Sequence, residues 1–336
     1  MRDVVPASRI LGLGSFLPPI VRTNADLERM VDTTDSWIVE RTGIRERRVA
    51  PEGMVTSDMA TEAARRALAA AELEPTDLDL ILVATVTPDV PMPATAVFVQ
   101  QKLGAGTCPS LDISAACAGF VFGLAAADGL IRTGTMKHFL VVGVELLSRV
   151  VNWEDRTTCV LFGDGAGAAV LGPAGDAEAR GRKRGVLTTK LKTDGSMARS
   201  LLIPAGGTER PVDAAAIEQH ANKVFMKGKD IFRVAVANLR SSSQEALDRL
   251  EMTGDDLDWI CPHQANLRIV DLAVEKLGLS RDKVLVNIDR VGNTSSASIP
   301  ILLDESVRSG KVKAGDRVLL CALGAGVSWG SAVLVV

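Results

Sequence analysis

The stretch Ala67-Leu68-Ala69-Ala70-Ala71-Glu72-Leu73-Glu74-Pro75-Thr76-Asp77-Leu78-Asp79-Leu80-Ile81 returns without a gap as Ala246-Leu247-Asp248-Arg249-Leu250-Glu251-Met252-Thr253-Gly254-Asp255-Asp256-Leu257-Asp258-Trp259-Ile260. The two copies share Glu72/Glu251, Asp77/Asp256, Leu78/Leu257 and Asp79/Asp258. In each, a helix end passes through a turn into an apolar strand. Further out, Gln101-Lys102-Leu103-Gly104 is echoed by Glu275-Lys276-Leu277-Gly278, and Arg132-Thr133-Gly134 by Arg308-Ser309-Gly310. Matches in one element order at about half the chain length indicate a duplicated α/β unit. The expected halves are residues 1–175 and 176–336, joined within Pro173-Ala174-Gly175-Asp176-Ala177-Glu178-Ala179-Arg180-Gly181-Arg182-Lys183-Arg184-Gly185. That basic break reads as a solvated hairpin.

Composition supports a layered core. Of 336 residues, 47% are hydrophobic and 24% charged, with no Tyr, four Trp and eight Phe, so aliphatic and small side chains must fill the interior. Runs such as Leu80-Ile81-Leu82-Val83-Ala84 and Phe139-Leu140-Val141-Val142-Gly143-Val144 suit strands covered on both faces. A net charge of −3 gives no bulk case for nucleic acid. Gly12, Gly14, Pro18 and Pro19 interrupt the first twenty residues, so no signal peptide or membrane span is expected. Five scattered cysteines point to a reducing cytoplasm with at most one catalytic thiol, and to no metal site or disulfide framework.

The chemistry centres on Leu111-Asp112-Ile113-Ser114-Ala115-Ala116-Cys117-Ala118-Gly119-Phe120, a strand that stops at small residues before an Ala-rich helix. Cys117 lies near the first helical turn, where free N–H groups and the helix dipole favour a thiolate. The stretch alone suits a buried structural cysteine equally well. The duplication adds information. His263 follows the strand ending at Ile260, and Asn293 lies in the counterpart of the Cys117 turn. Open α/β sheets bind ligands at strand ends, so Cys117, His263 and Asn293 can meet in one cleft between the halves.

Other segments are less decisive. Thr23-Asn24 reads as a helix start with an Asn cap, and residues 31–48 as an amphipathic surface helix pinned by Trp37. Trp37 with its neighbouring arginines could equally stack a base and grip phosphates. Pro88, Pro91 and Pro93 mark an exposed loop with Met92 near its tip. Residues 162–171 give a glycine-rich turn and a strand, without the Lys-Ser/Thr of a P-loop.

Taken together, Ala-Cys-Ala-Gly-Phe (116–120), Pro-His-Gln-Ala-Asn (262–266) and Gly-Asn-Thr-Ser (292–295) resemble β-ketoacyl-acyl carrier protein synthase III, a condensing enzyme of the thiolase superfamily. The resemblance covers nearly the whole chain. It implies a five-layered αβαβα fold of two duplicated halves and a cytoplasmic homodimer. Its activity is acylation of Cys117 by an acyl-CoA, followed by decarboxylative condensation with malonyl-acyl carrier protein to a 3-oxoacyl product. Cys117, His263 and Asn293 would be the catalytic triad, and the N–H groups of Cys117 and Ala325 the oxyanion hole. Trp37 and Arg156 would sandwich the adenine of CoA, with Thr33 and Arg41 nearby. Leu161, Phe162, Gly228, Phe232, Asn266 and Leu323 would line the substrate tunnel. Lys227, Lys229, Arg233 and Arg268 would receive the acidic carrier protein. No resident cofactor, metal, nucleic acid or membrane partner is implied.

The chain departs from the family pattern in three places. Met92 and Leu323 stand where acetyl-preferring relatives carry phenylalanine, which opens the choice of primer to longer or branched chains. Ala325 stands in a turn that is often all glycine. The competing readings are a secondary-metabolism acyltransferase or ketosynthase with another acceptor, a papain-like hydrolase and a non-catalytic partner subunit. The hydrolase family's local Cys signature is missing, and a scaffold has no need of all three polar residues.

Overall fold

The computed structural model describes residues 4–336. Its first sheet contains β1 (Ser8–Phe16), β2 (Leu80–Ala84), β3 (Ser110–Ile113), β4 (Phe139–Glu145) and β5 (Gly165–Pro173), in the order β1-β5-β4-β2-β3. Strand β2 runs parallel to β3 and β4, whereas β5 is antiparallel to β4 and β1. The second sheet contains β6 (Gly185–Thr193), β7 (Trp259–Pro262), β8 (Arg317–Gly324) and β9 (Ser328–Val335). Its order, β6-β9-β8-β7, repeats the first sheet with the same strand directions. A single parallel bridge, Ile260 to Val284, takes the place of the fifth strand.

Six main helices complete five layers: α1 (Thr56–Ala71), α2 (Thr95–Leu103), α3 (Gly119–Arg132), α4 (Gly228–Arg249), α5 (Leu267–Lys276) and α6 (Ser298–Arg308). Helices α3 and α6 lie between the sheets, where Phe120, Leu124 and Leu303 pack with Val141, Leu171, Leu320 and Leu334. On the outer face of the first sheet, Met59, Ala63 and Ala67 of α1 meet Ile81, Leu140 and Val142. Leu247 of α4 and Val270 of α5 do the same for Ile260, Leu319 and Val333. Alternate residues of β4 thus serve two cores, so the strand is apolar throughout rather than every second residue.

The repeat extends to backbone geometry. Glu72 and Glu251 both end their helices in the left-handed region, at φ 56° and 53°. Ala116 and Ser295 are related by the same spacing and stand at φ 45° and 50°, each just before a central helix.

Several local expectations are corrected. Thr23, not Asn24, caps the first short helix, because its Oγ1 accepts the Asp26 N–H while Asp26 accepts the Thr23 N–H. Residues 31–48 form only the helix Asp35–Thr42, stopped by left-handed Gly43, and then the strand Glu46–Val49. The basic hairpin at the junction is not simply a solvated face. Arg180 pairs with buried Asp316, and Arg182 with Asp258 at 2.6 Å, which ties the hairpin to the second sheet.

Arg47 is the largest fully buried side chain. Its guanidinium donates to the carbonyls of Arg22 (3.1 Å) and Val160 (2.8 Å) and to Asn24 Oδ1 (2.9 Å). Burial draws its pKa down to about 10, which leaves it charged at neutral pH. Arg47→Ala would strand three acceptors, two of them buried, so it should cost roughly 3–5 kcal/mol. The check is urea unfolding, with a lower midpoint at an unchanged slope.

Candidate active site

Cys117 sits in the one-turn helix Ala116–Ala118 between β3 and α3, with 9% of its surface exposed. The left-handed Ala116 makes the sharp elbow before it. Gly324, at the end of β8, approaches so closely that a Cβ there would lie 2.6 Å from the Cys117 nitrogen. Only glycine permits this contact, which brings the Gly324-Ala325-Gly326 turn against the Cys117 elbow. Ala325 lies outside the left-handed region, so alanine costs this turn nothing.

His263 follows β7, and its N–H donates to the Cys321 carbonyl at 2.8 Å. Its Nδ1 stands 2.6 Å from Ser298 Oγ at the start of α6, which leaves Nε2 for the cavity. Burial draws the imidazole pKa down to about 3, so the ring is neutral at physiological pH. Asn293 is held by its backbone, donating to Leu161 O at 2.8 Å and accepting from Gly163 N–H at 3.0 Å. Asn293 Oδ1 accepts the Ser295 N–H at 2.9 Å. A backbone N–H can only donate, so the amide orientation is fixed and its NH₂ remains as a donor.

Cys117, His263 and Asn293 line one cavity of about 480 Å³. Trp37, Arg41, Leu161, Phe162, Gly228, Lys229, Phe232, Asn266, Arg268 and Leu323 line it too. A smaller cavity of about 260 Å³ opens on the other side of Cys117 and Phe162. Its walls include Val86, Leu147, Leu202, Ile203 and Val224, together with Ser295 and Ala325.

Residues 111–195 match the family described as 3-Oxoacyl-[acyl-carrier-protein (ACP)] synthase III, and residues 247–336 match its C-terminal counterpart. A beta-ketoacyl-[acyl-carrier-protein] synthase III from Caldanaerobacter subterraneus subsp. tengcongensis is 48% identical over 98% of this chain and 97% of its own. The chain belongs to the 3-oxoacyl-[acyl-carrier-protein] synthase III family. The crystal structure of the synthase III from Aquifex aeolicus VF5 superposes with a TM-score of 0.88 at 43% identity, covering 98% of this chain and 100% of that one. The priming beta-ketosynthase of the R1128 polyketide pathway also has a TM-score of 0.88, at 37% identity, covering 100% of this chain and 98% of that one. The architecture is therefore the five-layered thiolase-like fold of the synthase III enzymes.

Several of the other expected site residues do not line the main cavity. Arg156 and Arg41 both stack on Trp37, at 5.4 and 4.9 Å from the ring centroid. Two stacking contacts need roughly 7 Å or more, so a planar base can enter only if Arg156 swings away from the ring and from Asp32. Thr33 offers a buried hydroxyl without a partner beside this segment. The Asn266 amide is already engaged, with Oδ1 capping α5 through the Arg268 N–H and Nδ2 donating to Arg41 O. Arg233 and Lys227 are exposed but do not line the main cavity; Arg233 borders a separate groove along α4. Met92 is 85% exposed and touches neither cavity of its own chain.

One expectation fails. Burial pushes the Cys117 thiol up to about 12; the Ser295 hydroxyl opposes this and the Glu145 carboxylate adds to it. The resting group is a thiol, because desolvation outweighs the helix end. Sequence reasoning also passed over Glu145, Ser295 and Ser298. The only sequence signal for Glu145 was a carboxylate closing the apolar run of β4.

Proposed function

We propose that this chain is an initiating condensing enzyme of fatty acid synthesis in which Cys117 is the acyl carrier. The supporting observation is the convergence of Cys117, neutral His263 and the fixed NH₂ of Asn293 on one cavity. The Cys117 sulfur attacks the thioester carbonyl of an acyl-CoA. His263 Nε2 takes the thiol proton and returns it to the departing CoA thiolate. Acyl-cysteine and free CoA result.

Malonyl-acyl carrier protein then enters. Loss of CO₂ leaves an enolate, stabilised by His263 Nε2–H and the Asn293 amide. The enolate carbon attacks the acyl-cysteine carbonyl, the C–S bond breaks to release the 3-oxoacyl-carrier protein, and the Cys117 thiolate takes up a proton from solvent. His263 serves both half-reactions because the Ser298 hydroxyl can accept from or donate to Nδ1. The N–H groups of Cys117 and Ala325 serve the tetrahedral oxyanion. Neither chemistry requires a resident cofactor or metal.

Trp37, Arg156, Arg41 and Thr33 hold the CoA nucleotide, and Gly228 keeps the tunnel clear. Only Met226 Cε, at 3.8 Å, would meet a Cβ at Gly228. Lys227, Lys229, Arg233 and Arg268 present positive charge beside the opening for the acidic carrier protein. We place the enzyme in the cytoplasm, where its five free cysteines stay reduced. The homodimer reading is supported by the open edge of β3 and by exposed Val90, Met92, Val97 and Leu111 on the elements around it. The likeness to a priming ketosynthase supports a second reading, in which the same chemistry starts a secondary-metabolism chain.

Intact-protein mass after incubation with a panel of acyl-CoAs tests the first step. One acyl mass is expected, discharged by malonyl-acyl carrier protein. An enzyme that no acyl-CoA loads would refute the reading. On the homodimer reading Met92 enters the partner's acyl pocket, so Met92→Phe should shift selectivity toward acetyl over a branched or longer primer by about 10–100-fold in kcat/KM. An unchanged preference would remove Met92 from the pocket.

A further inference from the structure

Glu145 closes β4 with no exposed surface, directly behind the nucleophile. Its Oε1 accepts the Ser295 hydroxyl at 3.0 Å. Its Oε2 accepts the Val86 N–H at 3.1 Å and the Thr87 hydroxyl at 2.9 Å, with Thr85 Oγ1 at 3.4 Å. Ser295 shares the wall of the smaller cavity with Cys117, and its hydroxyl draws the thiol's pKa down against the effect of burial. Its backbone N–H holds Asn293 Oδ1. One hydroxyl thus stands between a buried carboxyl and the attacking atom, and it has one proton to give.

We propose that Glu145 is a positioning residue that sets, through the Ser295 hydroxyl, whether the site holds Cys117 as a thiol or supports it as a thiolate. With Glu145 ionised, Ser295 donates to Oε1 and turns a lone pair toward the sulfur, which favours S–H. With Glu145 protonated, Oε1–H donates to Ser295 Oγ, and the serine proton turns to the sulfur. The thiolate then gains a hydrogen bond and loses an adjacent negative charge. Apart from the proton that Glu145 exchanges with solvent, only hydrogen bonds change at Glu145 and Ser295. The inference rests on Cys117 being the acylated nucleophile.

Burial raises the Glu145 carboxyl to about 7, so both states are populated near neutrality. The groups around it account for the missing counter-charge. Thr85, Val86 and Thr87 on one side and Ser295 and Ser296 on the other are neutral, and Cys117 is the titratable group facing it. Asp164, which precedes β5, directs its carboxylate to Ala50 N–H and Ser148. Arg149 reaches the carbonyls of Pro51 and Met54 instead. Among the described residues, no cation pairs with Glu145.

Glu145→Gln separates the two states. The Val86 N–H and the Thr87 hydroxyl require an acceptor, so the amide oxygen stays on their side. The NH₂ then faces Ser295 as a permanent donor, imitating the protonated acid. The experiment measures acyl-enzyme formation by mass from pH 6 to pH 8 for wild type and Glu145→Gln. Titration of a group near 7 predicts that the wild-type rate, divided by the Glu145→Gln rate, falls by up to roughly tenfold across this range. In a Ser295→Ala background the fall should be smaller, because the relay is gone and only the direct charge effect of Glu145 on the sulfur remains. A flat ratio in the parent enzymes would overturn the proposal, as would Glu145→Gln loading more slowly than wild type at pH 8. If wild type itself takes no acyl group, the failure belongs to the nucleophile assignment.

Discussion

Cys117→Ala forms no acyl-enzyme and loses condensation by on the order of 10⁴–10⁶-fold, while malonyl-acyl carrier protein still loses CO₂. The first half follows from the covalent route: without sulfur, nothing carries the primer between the two substrates. The second half follows from geometry. His263 is held by Ser298 and by the Cys321 carbonyl, and Asn293 by Ser295, Leu161 and Gly163, so neither depends on the thiol for its orientation. Their donors remain available to a developing enolate. Intact mass and ¹⁴CO₂ release, measured side by side, check both parts. A variant that still condenses would show that Cys117 is not the carrier, whereas loss of both activities would tie decarboxylation to the sulfur.

Asn293→Asp should be worse than Asn293→Ala. Removing one well-placed donor to an oxyanion typically costs about 10²–10³-fold, the effect expected for alanine. Aspartate keeps an acceptor for the Ser295 N–H, so its other oxygen falls where the NH₂ had been. A negative group then meets the negative enolate in a water-poor cavity, which should lower decarboxylation roughly another tenfold. The measurement is CO₂ release from malonyl-acyl carrier protein on pre-acylated enzyme. Aspartate performing as well as alanine would mean that the amide does not donate to the enolate. Thermal unfolding of both variants separates this from disruption of the 291–298 turn.

The fold was legible because duplication is written in register. The repeated stretch 67–81 and 246–260 lies on equivalent helix-turn-strand units, and the buried runs became strands covered on both faces. Cys117, His263 and Asn293 stood out as polar residues at strand ends, and they share a cavity. What stayed hidden was three-dimensional. A helix start suggested a thiolate, but sequence does not report burial, and burial decides the protonation state of Cys117. Glu145 and Ser295 are 150 positions apart, so nothing local links them. Asn266 sits in a conspicuous motif, yet much of its amide is spent on capping a helix and holding Arg41.

The paired left-handed elbows at Ala116 and Ser295 carry a lesson about division of labour. The residue after the first elbow is Cys117; the residue after the second is Ser296. Cys117 opens onto both cavities, whereas the Ser296 hydroxyl is buried and donates to the Ala84 carbonyl at 2.8 Å. The same backbone device therefore turns a sulfur toward the cavities in one half and sets a rivet in the other, fastening the second half to the end of β2. A cysteine installed at 296 would inherit the rivet's direction, against the strand and away from substrate. One copy of the elbow thus faces the cavities, and the other has become part of the frame.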